Sequence, residues 1–122
     1  MLAILGLDPA EIRKPDIDET PLKGETPRGY CNRIAAAKSD ALPAAKNEII
    51  LCADTTVAIG RKILGKPEDS DEARLFLKKL SGRRHKVITS IAVRNSKKMW
   101  QKDVVSVVKM KHLSQQDLDY YL

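Results

Sequence analysis

Apolar and polar positions along this chain follow two periods, and the switches between them mark its elements. Residues 49–53 (Ile-Ile-Leu-Cys-Ala) form a short apolar run, β-branched at its start and bounded by polar residues. That pattern predicts a strand buried on both faces. Asp54 follows at once, so a carboxylate is expected at the carboxyl end of a buried strand, where open α/β sheets place their ligands. Residues 55–59 read as a second strand that turns back at Gly60-Arg61-Lys62 and brings Gly65-Lys66-Pro67 to the same neighbourhood. Pro67 disfavours the α conformation for Lys66, so that ammonium leaves an extended backbone.

On both sides of this hairpin the period becomes helical. Thr26 as N-cap and Pro27 at the first helical position open a helix. Tyr30, Ile34 and Lys38 then recur on one face, with Ala37 and Ala41 beside them, and Pro43 ends the run. Asp69 caps the next helix with Glu72 at the capping-box position; Ala73, Phe76, Leu77 and Leu80 form its apolar stripe and Gly82 closes it. Residues 85–94 alternate as a strand, Asn95-Ser96-Lys97 is a turn, and residues 98–110 read as a long partner strand with Val104, Val105, Val107 and Val108 as its buried centre. Ser114 caps a last helix with Asp117 at its third position. At the other end, residues 1–5 with Gly6 read as the tail of a helix, and residues 11–14 as a short strand. The order of elements predicts one domain over residues 1–122, an α/β fold with a mixed, twisted β-sheet flanked by helices.

Composition narrows the class. No apolar run approaches membrane-spanning length and none follows a basic leader, so no membrane partner and a cytoplasmic location are expected. The two cysteines, Cys31 and Cys52, fit neither a redox pair nor a zinc site and read as reduced core residues. A net charge of +6 favours an anionic partner. The densest basic group (Lys78, Lys79, Arg83, Arg84, Lys86) has no aromatic residue interleaved, which argues for a solvated face and against nucleic acid as the partner.

The candidate chemistry has plain alternatives at each position. In Asp16-Ile-Asp-Glu-Thr20, three carboxylates within four residues repel one another unless a cation or donor sits among them. The segment is either a ligand for a hard divalent metal or a solvated acidic loop. Lys38, on the helix face turned to the sheet, either snorkels or reaches a phosphate. Asp54 and Gly65-Lys66-Pro67 can each be turn formers alone.

Read jointly, Asp16-Ile-Asp-Glu-Thr20, Arg33-Ile-Ala-Ala-Ala-Lys38, Cys52-Ala-Asp-Thr-Thr-Val57, Ile63-Leu-Gly-Lys-Pro67 and Leu80-Ser-Gly-x-x-His85 resemble the Maf family of nucleoside triphosphate pyrophosphatases, in order along the whole chain. Ala-Asp-Thr at the strand end is similar to the branch acting on dTTP and UTP. The resemblance implies a Maf/ITPase-like fold and hydrolysis of a nucleoside triphosphate to the monophosphate and pyrophosphate with Mg²⁺ or Mn²⁺. It implies that Asp54 activates water, that Glu19 and Asp54 hold the metal, and that Lys38 and Lys66 contact the phosphates. Thr55 would sit where base choice is tuned, and a homodimer is a family arrangement. The family's opening strand, with its Ser-x-Ser-Pro-Arg-Arg turn, would lie upstream of Met1. Its Ala-Gly-x-Tyr-x-Ile-Gln-Gly segment would lie beyond Leu122. The chain is therefore expected to be an incomplete Maf-like domain with an exposed sheet edge. A non-catalytic remnant that binds nucleotide weakly and a small basic nucleic-acid-binding module are the competing expectations.

Overall fold

The computed structural model describes residues 9–122, so the expected helix tail near the N-terminus lies outside the described residues. Helix α1 (Pro27–Asp40) is followed by strands β1 (Ile50–Ile59) and β2 (Lys62–Leu64) and helix α2 (Ser70–Leu80). Strands β3 (Arg84–Arg94) and β4 (Met99–Lys109) and helix α3 (Gln115–Tyr121) complete the chain. The strands form one sheet in the order β2-β1-β3-β4. The α/β class stands; among the described residues every pairing is antiparallel.

Local signals act where they were read. Thr26 accepts from the Gly29 amide at 3.1 Å and starts α1, and Asp69 accepts from the Glu72 amide at 2.8 Å at α2. Ser114 and Asp117 form a reciprocal capping box at α3. Asn95 carries the β3–β4 turn, its Oδ1 accepting from the amides of Lys97 and Lys98 at 2.8 Å each. Gly60, at φ 56°, supplies the left-handed residue of the β1–β2 turn.

Four expectations are corrected. The run broken at Asp54 is a single strand, because β3 pairs with it continuously from Ile50 to Ala58. Asp54 therefore stands in mid-strand. Nor is this strand buried on both faces: Leu51 is 46% exposed, since α1 covers one face and Leu51 points to the other. Residues 11–14 form no strand; among the described residues no strand pairs with them, and Ile12 is 86% exposed. The valines of β4 are not a buried centre, because among the described residues β4 is an edge strand; Val104, Val105 and Val107 are all exposed. β2 pairs only with Val57, Ala58 and Ile59, so the first half of β1 has β3 on one side and no strand among the described residues on the other. None of the described helices is long and apolar enough to cross a membrane.

The core lies between α1 and the sheet. Cys31, Ile34 and Ala35 of α1 are fully buried, as are Ala58 and Ala92 of β1 and β3, with Ile88 nearly so. Polar contacts then fix how α1 lies across the strands. Asp103 of β4 accepts from Asn32 at 3.1 Å and from Arg28 at 3.3 Å. Gln101 donates to the Asn32 carbonyl at 2.7 Å and to the Ser90 hydroxyl at 3.0 Å. At the other end of α1, Arg94 donates to the carbonyls of Ser39 and Leu42, where the helix stops. α1 is thus tied down at both ends, and Lys38 with it.

Asp103 makes this tie pH-sensitive. The Ser90 hydroxyl lowers its carboxyl below the ordinary aspartate value, with Asn32 and Arg28 adding to the effect against an opposing desolvation. A depressed folded value means the stabilisation is complete above the unfolded pKa of about 3.9 and disappears as pH falls through the folded value. Asp103→Asn is expected to cost about 1.5–3 kcal/mol at pH 7, the range for hydrogen bonds to a charged group. The variant should also lose less stability than wild type between pH 4 and pH 2 (~1–2 kcal/mol less). Urea midpoints across that window check both; parallel pH profiles would remove Asp103 as the cause.

Candidate active site

The period-four face of α1 and the period-two face of β1 meet around Asp54. Strand alternation puts Asp54 and Thr56 on the side that α1 covers, while Thr55 points to the opposite face. The register agrees: Asp54 lies opposite the buried Ser90, and Thr55 lies opposite Thr89. Cys31 anchors the strand from above, its single S–H shared between the carbonyls of Asp54 at 3.2 Å and Ile88 at 3.3 Å. Burial raises the Cys31 pKa, so it remains a thiol and packs as a core residue. Cys52 is likewise free, with burial raising its pKa.

Lys38 Nζ lies 3.0 Å from Asp54 Oδ1 and 3.6 Å from Glu19 Oε1. One ammonium thus joins carboxylates that are 35 residues apart in sequence. Burial by itself would lower the Lys38 pKa, but the hydrogen bond and charge of Asp54, reinforced by Glu19, outweigh it and raise the value. Lys38 is therefore a full cation at neutral pH. Thr56 donates to Asp54 Oδ2 at 3.2 Å, so both carboxylate oxygens have a partner.

Lys66 is delivered by the β1–β2 hairpin, as the turn at Gly60 requires. With Glu19, Tyr30, Asp54 and Thr56 it lines a cavity of about 180 Å³. It pairs with no carboxylate among the described residues. A second cleft of about 400 Å³ adjoins the first, lined by Arg13, Lys14, Asp16, Glu19 and Lys38. Glu19 borders both spaces. Of the four residues singled out from sequence, Glu19, Asp54 and Lys66 line the smaller cavity, and Lys38 reaches Glu19 and Asp54 from the adjoining cleft. Thr55 also borders the smaller cavity, but its hydroxyl lies 3.1 Å from that of Thr89 on the far face of the sheet. Its side chain stands apart from the cluster.

Sequence reasoning missed three participants. Thr56 was recoverable, because position i+2 of a strand shares the face of Asp54. Tyr30 was placed on the Lys38 face of the helix, but not its hydroxyl, which donates to the Glu19 carbonyl at 2.7 Å. Arg33 holds Glu25 and the Thr20 carbonyl, at 2.6 Å and 3.1 Å, and no local pattern announces that.

The donor set suits a hard divalent cation in one specific manner. Among the described residues no group of three or more His, Cys, Asp or Glu side chains could hold a metal by protein ligands alone. Glu19 and Asp54 offer two carboxylates beside open space, and Mg²⁺ is usually held by one or two carboxylates together with substrate phosphates and water. The cluster fits an ion that arrives with a phosphorylated ligand.

A mid-strand acid neutralised by a helical lysine, a loop carboxylate beside it and a hairpin lysine with no carboxylate partner among the described residues thus stand together on an α/β scaffold. The Maf-like protein family matches residues 1–122, and the chain belongs to that family. A dTTP/UTP pyrophosphatase of Roseobacter denitrificans is 60% identical over 122 residues, covering 100% of this chain and 65% of the relative. A second dTTP/UTP pyrophosphatase, from Ruegeria sp., is 57% identical over 122 residues, again 100% of this chain and 63% of the relative. A nucleoside triphosphate pyrophosphatase of Anaplasma marginale is 43% identical over 124 residues, with 100% and 63% covered. The chain thus spans slightly under two thirds of the length of these curated relatives.

Proposed function

We propose that this chain carries the catalytic centre of a nucleoside triphosphate pyrophosphatase acting on dTTP and UTP. The observation that supports this most is the Glu19–Lys38–Asp54 cluster beside an unpaired Lys66. In hydrolysis at the α–β linkage, a water oxygen bonds to phosphorus as the bridging P–O bond breaks. Pyrophosphate leaves, and the water proton passes to a base. Asp54 is that base: its carboxylate is held in a fixed direction by Lys38 and Thr56 and opens onto the cavity. Lys38 and Lys66 provide positive charge for phosphate oxygens; Lys38 is half-buried, where such charge counts for more than in water, and Lys66 is exposed beside the cavity. Glu19 and Asp54 would hold Mg²⁺ or Mn²⁺, which when bound supplies further charge neutralisation at the phosphates. This chemistry needs placed charges and an oriented nucleophile and little covalent work from the protein.

The choice of pyrimidine nucleotides rests on the named activity of the relatives and the Ala53-Asp54-Thr55 sequence. The orientation of Thr55 argues that its hydroxyl is not what reads the base. The test is a panel of nucleoside triphosphates with Mg²⁺ or Mn²⁺, followed by a pyrophosphate-coupled assay. Release from UTP and dTTP at least tenfold faster (~1.4 kcal/mol) than from purine nucleotides is expected. Absence of turnover with every nucleotide would identify the chain as a non-catalytic member of the family.

A further inference from the structure

The Glu19 carboxylate belongs to a stretch with no regular secondary structure, and more than half of its side chain is exposed (55%). Something has to hold such a residue in register with Lys38 and Asp54, since ordering a loop costs conformational entropy. The contacts that do so come from α1. Tyr30 Oη donates to the Glu19 carbonyl at 2.7 Å. One turn further on, Arg33 Nη2 donates to the next carbonyl, that of Thr20, at 3.1 Å. The same guanidinium grips Glu25 with a two-pronged pair at 2.6 Å and 3.0 Å. Glu25 in turn accepts from the Leu22 amide at 3.1 Å. The Arg33 guanidinium also lies 5.6 Å from the centre of the Tyr30 ring, so the two clamp residues brace each other.

We propose that Tyr30 and Arg33 are positioning residues that fasten the loop to α1 and thereby hold the Glu19 carboxylate against Lys38 and Asp54. Two consecutive backbone carbonyls are gripped by side chains three residues apart on one helix, and that same helix carries Lys38. Loop acid and helical base are therefore held in one frame, with α1 as its common support. The clamp acts through Glu19, with Tyr30 at the cavity wall and Arg33 behind the loop. Its kinetic consequences rest on the pyrophosphatase reading; its structural consequences do not.

The experiment compares the whole chain with Tyr30→Phe and Arg33→Lys, each also made in a Glu19→Gln background. Tyr30→Phe keeps the ring and removes only the donor; Arg33→Lys keeps the charge and removes the fork. Amide hydrogen exchange in the peptide spanning residues 18–25 should rise about tenfold in both variants, while exchange in β1 and β3 stays as in wild type. With UTP, kcat should fall by about ten- to a hundredfold while KM stays within about twofold, the signature of a misplaced group and not of lost binding. In the Glu19→Gln background the same substitutions should have little further effect, because the residue they position is already gone. Unchanged exchange over residues 18–25 in both variants would overturn the proposal. So would an equal loss of kcat with and without the Glu19 carboxylate. If the wild-type chain turns over no nucleotide, the pyrophosphatase reading fails, and the exchange result alone decides whether α1 clamps the loop.

Discussion

Asp54→Asn is expected to reduce pyrophosphate release from UTP by about a thousandfold, while the melting temperature moves by less than about 4 °C. The two outcomes separate because an amide keeps the shape of the carboxylate. Its oxygen can still accept from Lys38, which sits 3.0 Å from Oδ1, while its amide nitrogen takes the place of Oδ2 and can donate to the Thr56 hydroxyl 3.2 Å away. What it loses is the negative charge that takes a proton from water. The strand itself has no reason to shift, since Asp54 is held on one side by its pairing with β3 and from above by Cys31. The change does remove one of the two carboxylates near Lys38, leaving the ammonium with Glu19 at 3.6 Å. Lys38 keeps about a quarter of its side chain in solvent (23%), so the remaining imbalance is partly screened by water. Kinetics and a thermal melt on the same preparation check both halves. Activity within about tenfold of wild type would remove Asp54 from the proton-transfer role.

Ile34→Ala is expected to cost about 3–4 kcal/mol of stability, more than Asp103→Asn. Ile34 is fully buried and lies between Tyr30 and Lys38 on the face of α1 that meets the sheet. Removing its side chain beyond Cβ forfeits the transfer free energy and leaves a void that a helix tied at both ends cannot easily close. The Asn32–Asp103 and Arg94–Ser39 contacts limit that collapse. Ile34→Val, which removes a single methyl group, should cost only about 1 kcal/mol. Urea denaturation should show a lower midpoint with an unchanged slope, the mark of a changed stability and not of a changed unfolded state. A loss below about 1 kcal/mol for the alanine variant would mean that α1 settles onto the sheet more freely than its anchors suggest.

These two residues show how far local pattern carries. Ile34 was legible from the four-residue period of α1 alone, because a helix buries one stripe. Asp54 stands out in the sequence through the motifs around it, although the strand was expected to stop there. That error has a physical source. A single Asp inside an apolar run looks like a terminator until a neighbouring strand is known to pair straight past it, and pairing is non-local. β4 failed for a related reason. Its valine-rich centre has the composition of a core strand, but composition does not say whether a strand lies inside a sheet or on its edge.

Capping residues, turn formers and the period of each segment settled by themselves where α1, α2, α3 and the two hairpins would be, since those choices depend on contacts within a few residues. The family motifs also named Glu19, Lys38, Asp54 and Lys66 as members of one chemistry. Only the folded chain decided that Lys38 pairs with Glu19 and Asp54 beside the cavity that Lys66 lines, that Thr55 looks the other way and that Tyr30 and Arg33 hold the acidic loop. Those facts depend on which face of one element meets which face of another. That choice is made by burial and by hydrogen bonds between residues far apart in sequence, so no local stretch of residues encodes it.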